Sequence, residues 1–126
     1  MRIPSLVTVV MLVCIGSAKA AAAPDSIDGA ATNYVLPGCR TYALMAPSGG
    51  RYSSGTALRI GLCYGYLQAI ADLAANIVCF PPDATIHQAA AVVVRYLDNR
   101  PERWNERFDA LALEALRSEW PCKPGR

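Results

Sequence analysis

Thr56-Ala-Leu-Arg-Ile-Gly-Leu-Cys-Tyr-Gly-Tyr-Leu-Gln-Ala-Ile-Ala-Asp-Leu-Ala-Ala-Asn-Ile-Val78 runs straight into Cys79-Phe-Pro-Pro-Asp83. Leu58, Leu62, Tyr66, Ile70, Leu73 and Ile77 recur at spacings of three and four, the period of a single helix face. The spacing predicts a helix from about Thr56 to Val78, stopped by Pro81 and Pro82. Thr85-Ile-His-Gln88 restarts the chain with a capping box, in which the threonine and glutamine side chains satisfy each other's free amides. A helix over 85–98 follows from it. Asn99-Arg100-Pro101 turns the chain, and a last helix is expected from about Asn105 to Trp120, burying Phe108, Leu111, Ala115 and Leu116 and ended by Pro121. Upstream, Asn33 is a suitable N-cap for a helix to about Met45, with Pro37 tolerated in its first turn. The intervening Ala46-Pro-Ser-Gly-Gly-Arg-Tyr-Ser-Ser-Gly55 is turn chemistry, longer than most helix connections. No long stretch alternates as a strand would, so the expected fold is all-α: a small up-and-down bundle of about four helices.

The N-terminus reads as an export signal. Arg2 precedes an apolar run from Leu6 to Ile15, broken only by Thr8, and Ala18-Lys19-Ala20 supplies the small-residue cleavage site. Cleavage is expected after Ala20, with Ala22 as second choice. The run is about half the ~20 residues of a membrane span, so no stable membrane anchor is expected. Residues 1–20 are thus signal, 21–32 a flexible leader, 33–122 the helical domain and 123–126 a C-terminal tail.

Losing the signal removes Arg2 and Lys19, and the chain's net charge of +2 falls to about zero. A nucleic-acid partner would require a basic field, and none is left. Cys14 leaves with the signal. Cys39, Cys63, Cys79 and Cys122 remain, an even set in an oxidising compartment, which predicts two disulfides. On one continuous helix Cys63 and Cys79 would be ~24 Å apart, too far to bond. Helix directions put Cys79 and Cys122 at one pole and bring Cys39 within reach of Cys63. The expected bonds are therefore Cys39–Cys63 and Cys79–Cys122, worth roughly 3.5 and 4 kcal/mol on the chain-entropy account.

Catalysis finds few materials. His87 is the sole histidine and is read as a surface residue in the first turn of its helix, without a partner. No C-x-x-C occurs, and every cysteine of the domain is assigned to a disulfide, so neither metal, cofactor nor enzymatic activity is expected. Asp72 is read as a solvated or arginine-paired carboxylate. The glycine-rich stretch from Gly49 to Gly55 lacks the Gly-Lys-Ser/Thr ending of a phosphate loop and is read as a linker.

Taken in order, Cys63-Tyr64-Gly65-Tyr66-Leu67, Asp72, Cys79-Phe80-Pro81, Gln88, Val92-Val93-Val94-Arg95-Tyr96-Leu97, Pro101-Glu102, Ala115-Leu116 and Trp120-Pro121-Cys122 resemble the Rap/Tai family of immunity proteins. The likeness covers most of the domain, from about Leu36 to Cys122. It departs at Ala69, where the family tends to have glycine. The resemblance implies a periplasmic helical protein, usually a homodimer, that binds a peptidoglycan-cleaving amidase delivered by type VI secretion. A protruding loop and helix surface would occlude that effector's catalytic cleft. Gly65 would permit close helix approach, and Tyr66 and Tyr96 would fill the core. The family motif does not mark the inhibitory contacts, so candidates come from exposure: Arg51, Tyr52, Asn99, Arg100, Arg103 and Trp104, of types that anchor interfaces. Trp104 reads equally as a lid on the core. A different class also fits, a periplasmic disulfide-stabilised helical stress or chaperone-like protein with no amidase partner.

Overall fold

A computed structural model describes residues 31–46 and 49–125; the expected export signal and most of the expected leader lie outside them. Among the described residues four helices, α1 (Thr32–Leu44), α2 (Ser54–Leu73), α3 (Ile86–Asp98) and α4 (Phe108–Glu119), form a small all-α bundle. A short 3-10 turn, Pro101–Arg103, links the last two. Val35, Leu36, Leu67, Val93, Leu97, Phe108, Leu111 and Leu116 are buried in one core to which every helix contributes.

α1 begins one residue earlier than expected, and Asn33 is not its cap. The free amides of its first turn are satisfied from a distance: Thr32 donates its backbone N–H to the Glu106 carbonyl at 3.0 Å, and Asn33 donates to the Trp104 carbonyl at 2.8 Å. Thr32 is wholly buried, and its hydroxyl also donates to the Glu106 carbonyl. Pro37 consequently falls in the second turn, and the helix continues through it.

The predicted second helix is too long at its end. α2 starts behind Ser53, whose hydroxyl accepts from the Thr56 amide, but it stops at Leu73, with Ala74 as C-cap. Beyond it Val78 pairs with Pro121 in an isolated antiparallel bridge, and Cys79 donates its N–H to the Trp120 carbonyl at 2.9 Å. Bonds to a distant segment replace the helical ones. Cys79 is therefore not helical, and the rod-length argument against a Cys63–Cys79 bond loses its premise. The pairing itself stands: Cys39–Cys63 and Cys79–Cys122 are both formed, with Cα atoms 5.2 and 4.9 Å apart.

The apolar stripe on α2 is only partly buried. Cys63 and Leu67 are fully enclosed, Leu62, Tyr66 and Ile70 lie on the core's margin, and Leu58, Leu73 and Ile77 are exposed at 55, 83 and 39%. The 20-residue α2 is longer than its 13-residue partner α1, and because Tyr42, near the end of α1, meets Tyr64, the ~10 Å excess at 1.5 Å per residue falls at the C-terminal end of α2, where Leu73 is left uncovered. The glycine that brings the two helices together is Gly38. A Cβ there would lie 2.2 Å from the carbonyl carbon and oxygen of Arg59. Gly65 faces open space instead.

α3 carries the expected capping box, with Thr85 N–H donating to Gln88 Oε1 at 2.8 Å and Gln88 N–H to Thr85 Oγ1 at 3.2 Å. α4 begins three residues later than expected, because the preceding residues belong to the turn described below. α3 and α4 run antiparallel, with Arg95 paired to Glu119 and Tyr96 bonded to Glu114. α1 is antiparallel to α3: its first residues meet the turn after α3, and Tyr42 near its end packs on His87 near the start of α3. Contacts between α1 and α2 instead advance together along both helices, from Gly38 against Arg59 through Cys39 with Cys63 to Tyr42 with Tyr64.

Candidate binding surface

The chain between α3 and α4 is a turn held by a set of side-chain bonds. Asn99 donates its side-chain amide to the Arg95 carbonyl at 2.8 Å, capping the last turn of α3. Arg100 lays its guanidinium 3.7 Å above the Tyr96 ring and donates to the Tyr96 carbonyl. Arg103 grips two carboxylates at once: Nε and Nη2 donate to Glu106 at 2.8 and 2.9 Å, Nη1 and Nη2 to Glu114 at 2.8 and 3.0 Å. Such paired forks are geometrically demanding and fix orientation as well as charge.

Electrostatics follows from that clamp. The Arg103 bond, followed by that from Tyr96, holds the Glu114 carboxyl down at about 2. Arg103 likewise lowers Glu106, and both carboxylates raise Arg103 in return. Tyr96 is pushed up, first by burial and then by its bond to Glu114. These groups are largely solvated, so the ion pairs define the shape of the turn more than they add stability.

Trp104 resolves as a lid. Half-buried against the core, it donates its indole N–H to the Leu97 carbonyl at 2.8 Å, and Arg40 covers its ring at 5.1 Å while pairing with Asp98. Of the nominated turn residues, Arg100, Arg103 and Trp104 are thus half-buried and engaged within the chain, and Asn99 is exposed beside Pro101 and Glu102. Arg51 and Tyr52 are exposed in the loop before α2, with the Tyr52 phenol lying across Gly50. Among the described residues no hydrogen bond, ion pair or ring contact joins them to the turn.

A cluster that sequence reasoning missed occupies the opposite pole. His87 has a partner after all: its ring meets Tyr42 edge-on at 4.4 Å, and Tyr42 meets the exposed Tyr64 at 5.9 Å. Burial, then the neighbouring Tyr64, raises the Tyr42 phenol. Three helices supply these rings, so no local pattern announces them. Asp72 is exposed and accepts from Gln68 at 3.1 Å, a solvated carboxylate with an amide rather than an arginine beside it.

A small helical bundle stapled by two disulfides belongs to a class typical of secreted or periplasmic proteins. No helix among the described residues is long and apolar enough to cross a membrane. The model of the Rap1a immunity proteins matches residues 31–122, and the chain belongs to that family. It is accordingly an immunity protein, a non-catalytic binder of a secreted effector. Comparisons with curated proteins and with solved structures gave no match.

Proposed function

We propose that the mature chain acts in the periplasm, where it binds a peptidoglycan-cleaving amidase delivered by type VI secretion and occludes its catalytic cleft. The observation that carries the reading is the turn at Asn99–Trp104. It is fixed before any partner arrives, by the Arg103 clamp, the Trp104 bond and the tie to α1. A surface already ordered loses little conformational entropy on docking, which favours tight binding. Asn99, Pro101 and Glu102 are its outward residues; Arg51 and Tyr52 form the second contact. The protein works as a homodimer in this reading.

The test mixes the oxidised mature protein with the amidase encoded beside its gene. Calorimetry is expected to give a saturable complex, and turbidity of a peptidoglycan suspension to stop falling at one equivalent of inhibitor. Light scattering reports the dimer. Arg51→Ala combined with Tyr52→Ala, both exposed and free of core contacts, is expected to weaken the complex about tenfold, ~1.4 kcal/mol. Absence of inhibition at micromolar concentration, together with suppression of aggregation of an unrelated unfolded protein, would instead establish the chaperone-like class.

A further inference from the structure

The two staples present themselves to solvent very differently. Cys39 and Cys63 are wholly buried between α1 and α2. Cys79 is exposed and Cys122 half-buried, and Cys122 lines an open cleft of about 420 Å³ together with Asn76, Ile77, Arg117 and Pro121. Exchange requires a thiolate to reach a disulfide sulfur, so access decides which bond reacts. Charge favours the same bond. Arg117, itself exposed, shares the cleft with Cys122, and Lys123 is the next residue. Nearby cations attract an incoming thiolate and stabilise the one that leaves.

We propose that Cys79–Cys122 is a thiol–disulfide exchange site open to a dithiol reductant, while Cys39–Cys63 is closed to it. One thiolate of the dithiol attacks Cys79 Sγ, forming a mixed disulfide as the Cys79–Cys122 bond breaks and Cys122 departs as thiolate beside Arg117. The reductant's second thiol gives up its proton and attacks its own sulfur in the mixed disulfide, releasing Cys79 as thiolate. The dithiol is oxidised by two electrons to a disulfide, and the cysteine pair is reduced by two. What opens is a strap, not the bundle. The C-terminal segment keeps the Val78–Pro121 bridge, the Cys79–Trp120 hydrogen bond, the tilted Phe80–Trp120 ring contact at 5.1 Å and the packing of Trp120 on the core, and the core remains bolted by Cys39–Cys63.

The experiment treats the whole folded mature protein with dithiothreitol in native buffer, quenches aliquots with iodoacetamide and maps peptides by mass, following helix content by circular dichroism. Cys79 and Cys122 are expected to be alkylated at least tenfold faster than Cys39 and Cys63, with helix content unchanged while only the first bond is open. Equal rates, earlier opening of Cys39–Cys63, or loss of helix with the first bond would overturn the proposal. Arg117→Ala is expected to slow exchange at Cys79–Cys122 several-fold at neutral pH; an unchanged rate would remove the arginine from it. Lys123→Ala is the companion variant and is expected to act in the same direction.

Discussion

Gly38→Ala adds one methyl group at the tightest point between α1 and α2. The new Cβ would sit 2.2 Å from both the carbonyl carbon and oxygen of Arg59, where unstrained contact begins near ~3.5 Å. The helices must therefore part by more than ~1 Å at that point. Backbone atoms make the obstruction, so no side-chain rotation relieves it, and the neighbouring Cys39 is bonded to Cys63 on the opposing helix. Overpacking of this kind costs ~1–3 kcal/mol, and a backbone clash beside a covalent tie belongs at the upper end. Alanine's better helix propensity returns ~1 kcal/mol. A net loss of ~2 kcal/mol lowers Tm by ~8–16 °C in a domain of this size. Gly65→Ala is the matched control with opposite sign: it is exposed, no atom lies within 4 Å of its new Cβ, and propensity alone gives up to ~1 kcal/mol of added stability. Thermal melting of both oxidised variants, followed by circular dichroism, decides the matter. If Gly38→Ala melts at or above the parent, the packing argument is wrong; a lower Tm for Gly65→Ala would mean that its face is covered.

Acid should weaken the fold through the Arg103 clamp: Glu114, held at about 2 against an ordinary 4.5, and the lowered Glu106 bind fewer protons folded than unfolded. The contribution of Glu114 is complete above the ordinary carboxylate value and lost as pH falls through about 2, with Glu106 acting in the same direction; Glu114→Gln should flatten the acid limb of urea midpoints measured across that range. Trp104→Phe removes the 2.8 Å bond to the Leu97 carbonyl and is expected to cost ~1 kcal/mol by urea titration. Thr85→Ala dismantles the capping box and should cost a similar ~1 kcal/mol, with hydrogen exchange accelerated first at the start of α3; uniform acceleration along the chain would contradict a local cap.

The features legible beforehand are those whose chemistry is local or whose constraints are few. Thr85 and Gln88 lie three residues apart, and their box formed as the spacing requires. Four cysteines allow three pairings, and coarse helix directions select among them. The end of α2 was illegible because Val78 is drawn out of helical geometry by Pro121, a partner at the far end of the domain. Spacing alone also could not reveal that α1 is too short to cover Leu73, or that Gly38 rather than Gly65 sits at the helix crossing. At the candidate surface, Arg103 reaches Glu106 three residues on, a pairing a sequence can suggest. Its second partner, Glu114, and the Trp104 bond to Leu97 exist only once α3 and α4 are folded back on each other, so their lid and clamp roles emerged from the tertiary structure.

Because the first residues of α1 hydrogen-bond to the carbonyls of Trp104 and Glu106, chain entering the domain arrives beside the turn. The exit, past Cys122, lies at the pole where α3 begins and α4 ends. In the binding mode proposed above, the molecule thus has a working end and a handle. Purification tags, fluorophores or a surface tether fused at the N-terminus would crowd the proposed binding face, and a pull-down made that way could miss a real complex. The same attachment after Lys123 leaves that face open, so binding assays should be run from the C-terminal side.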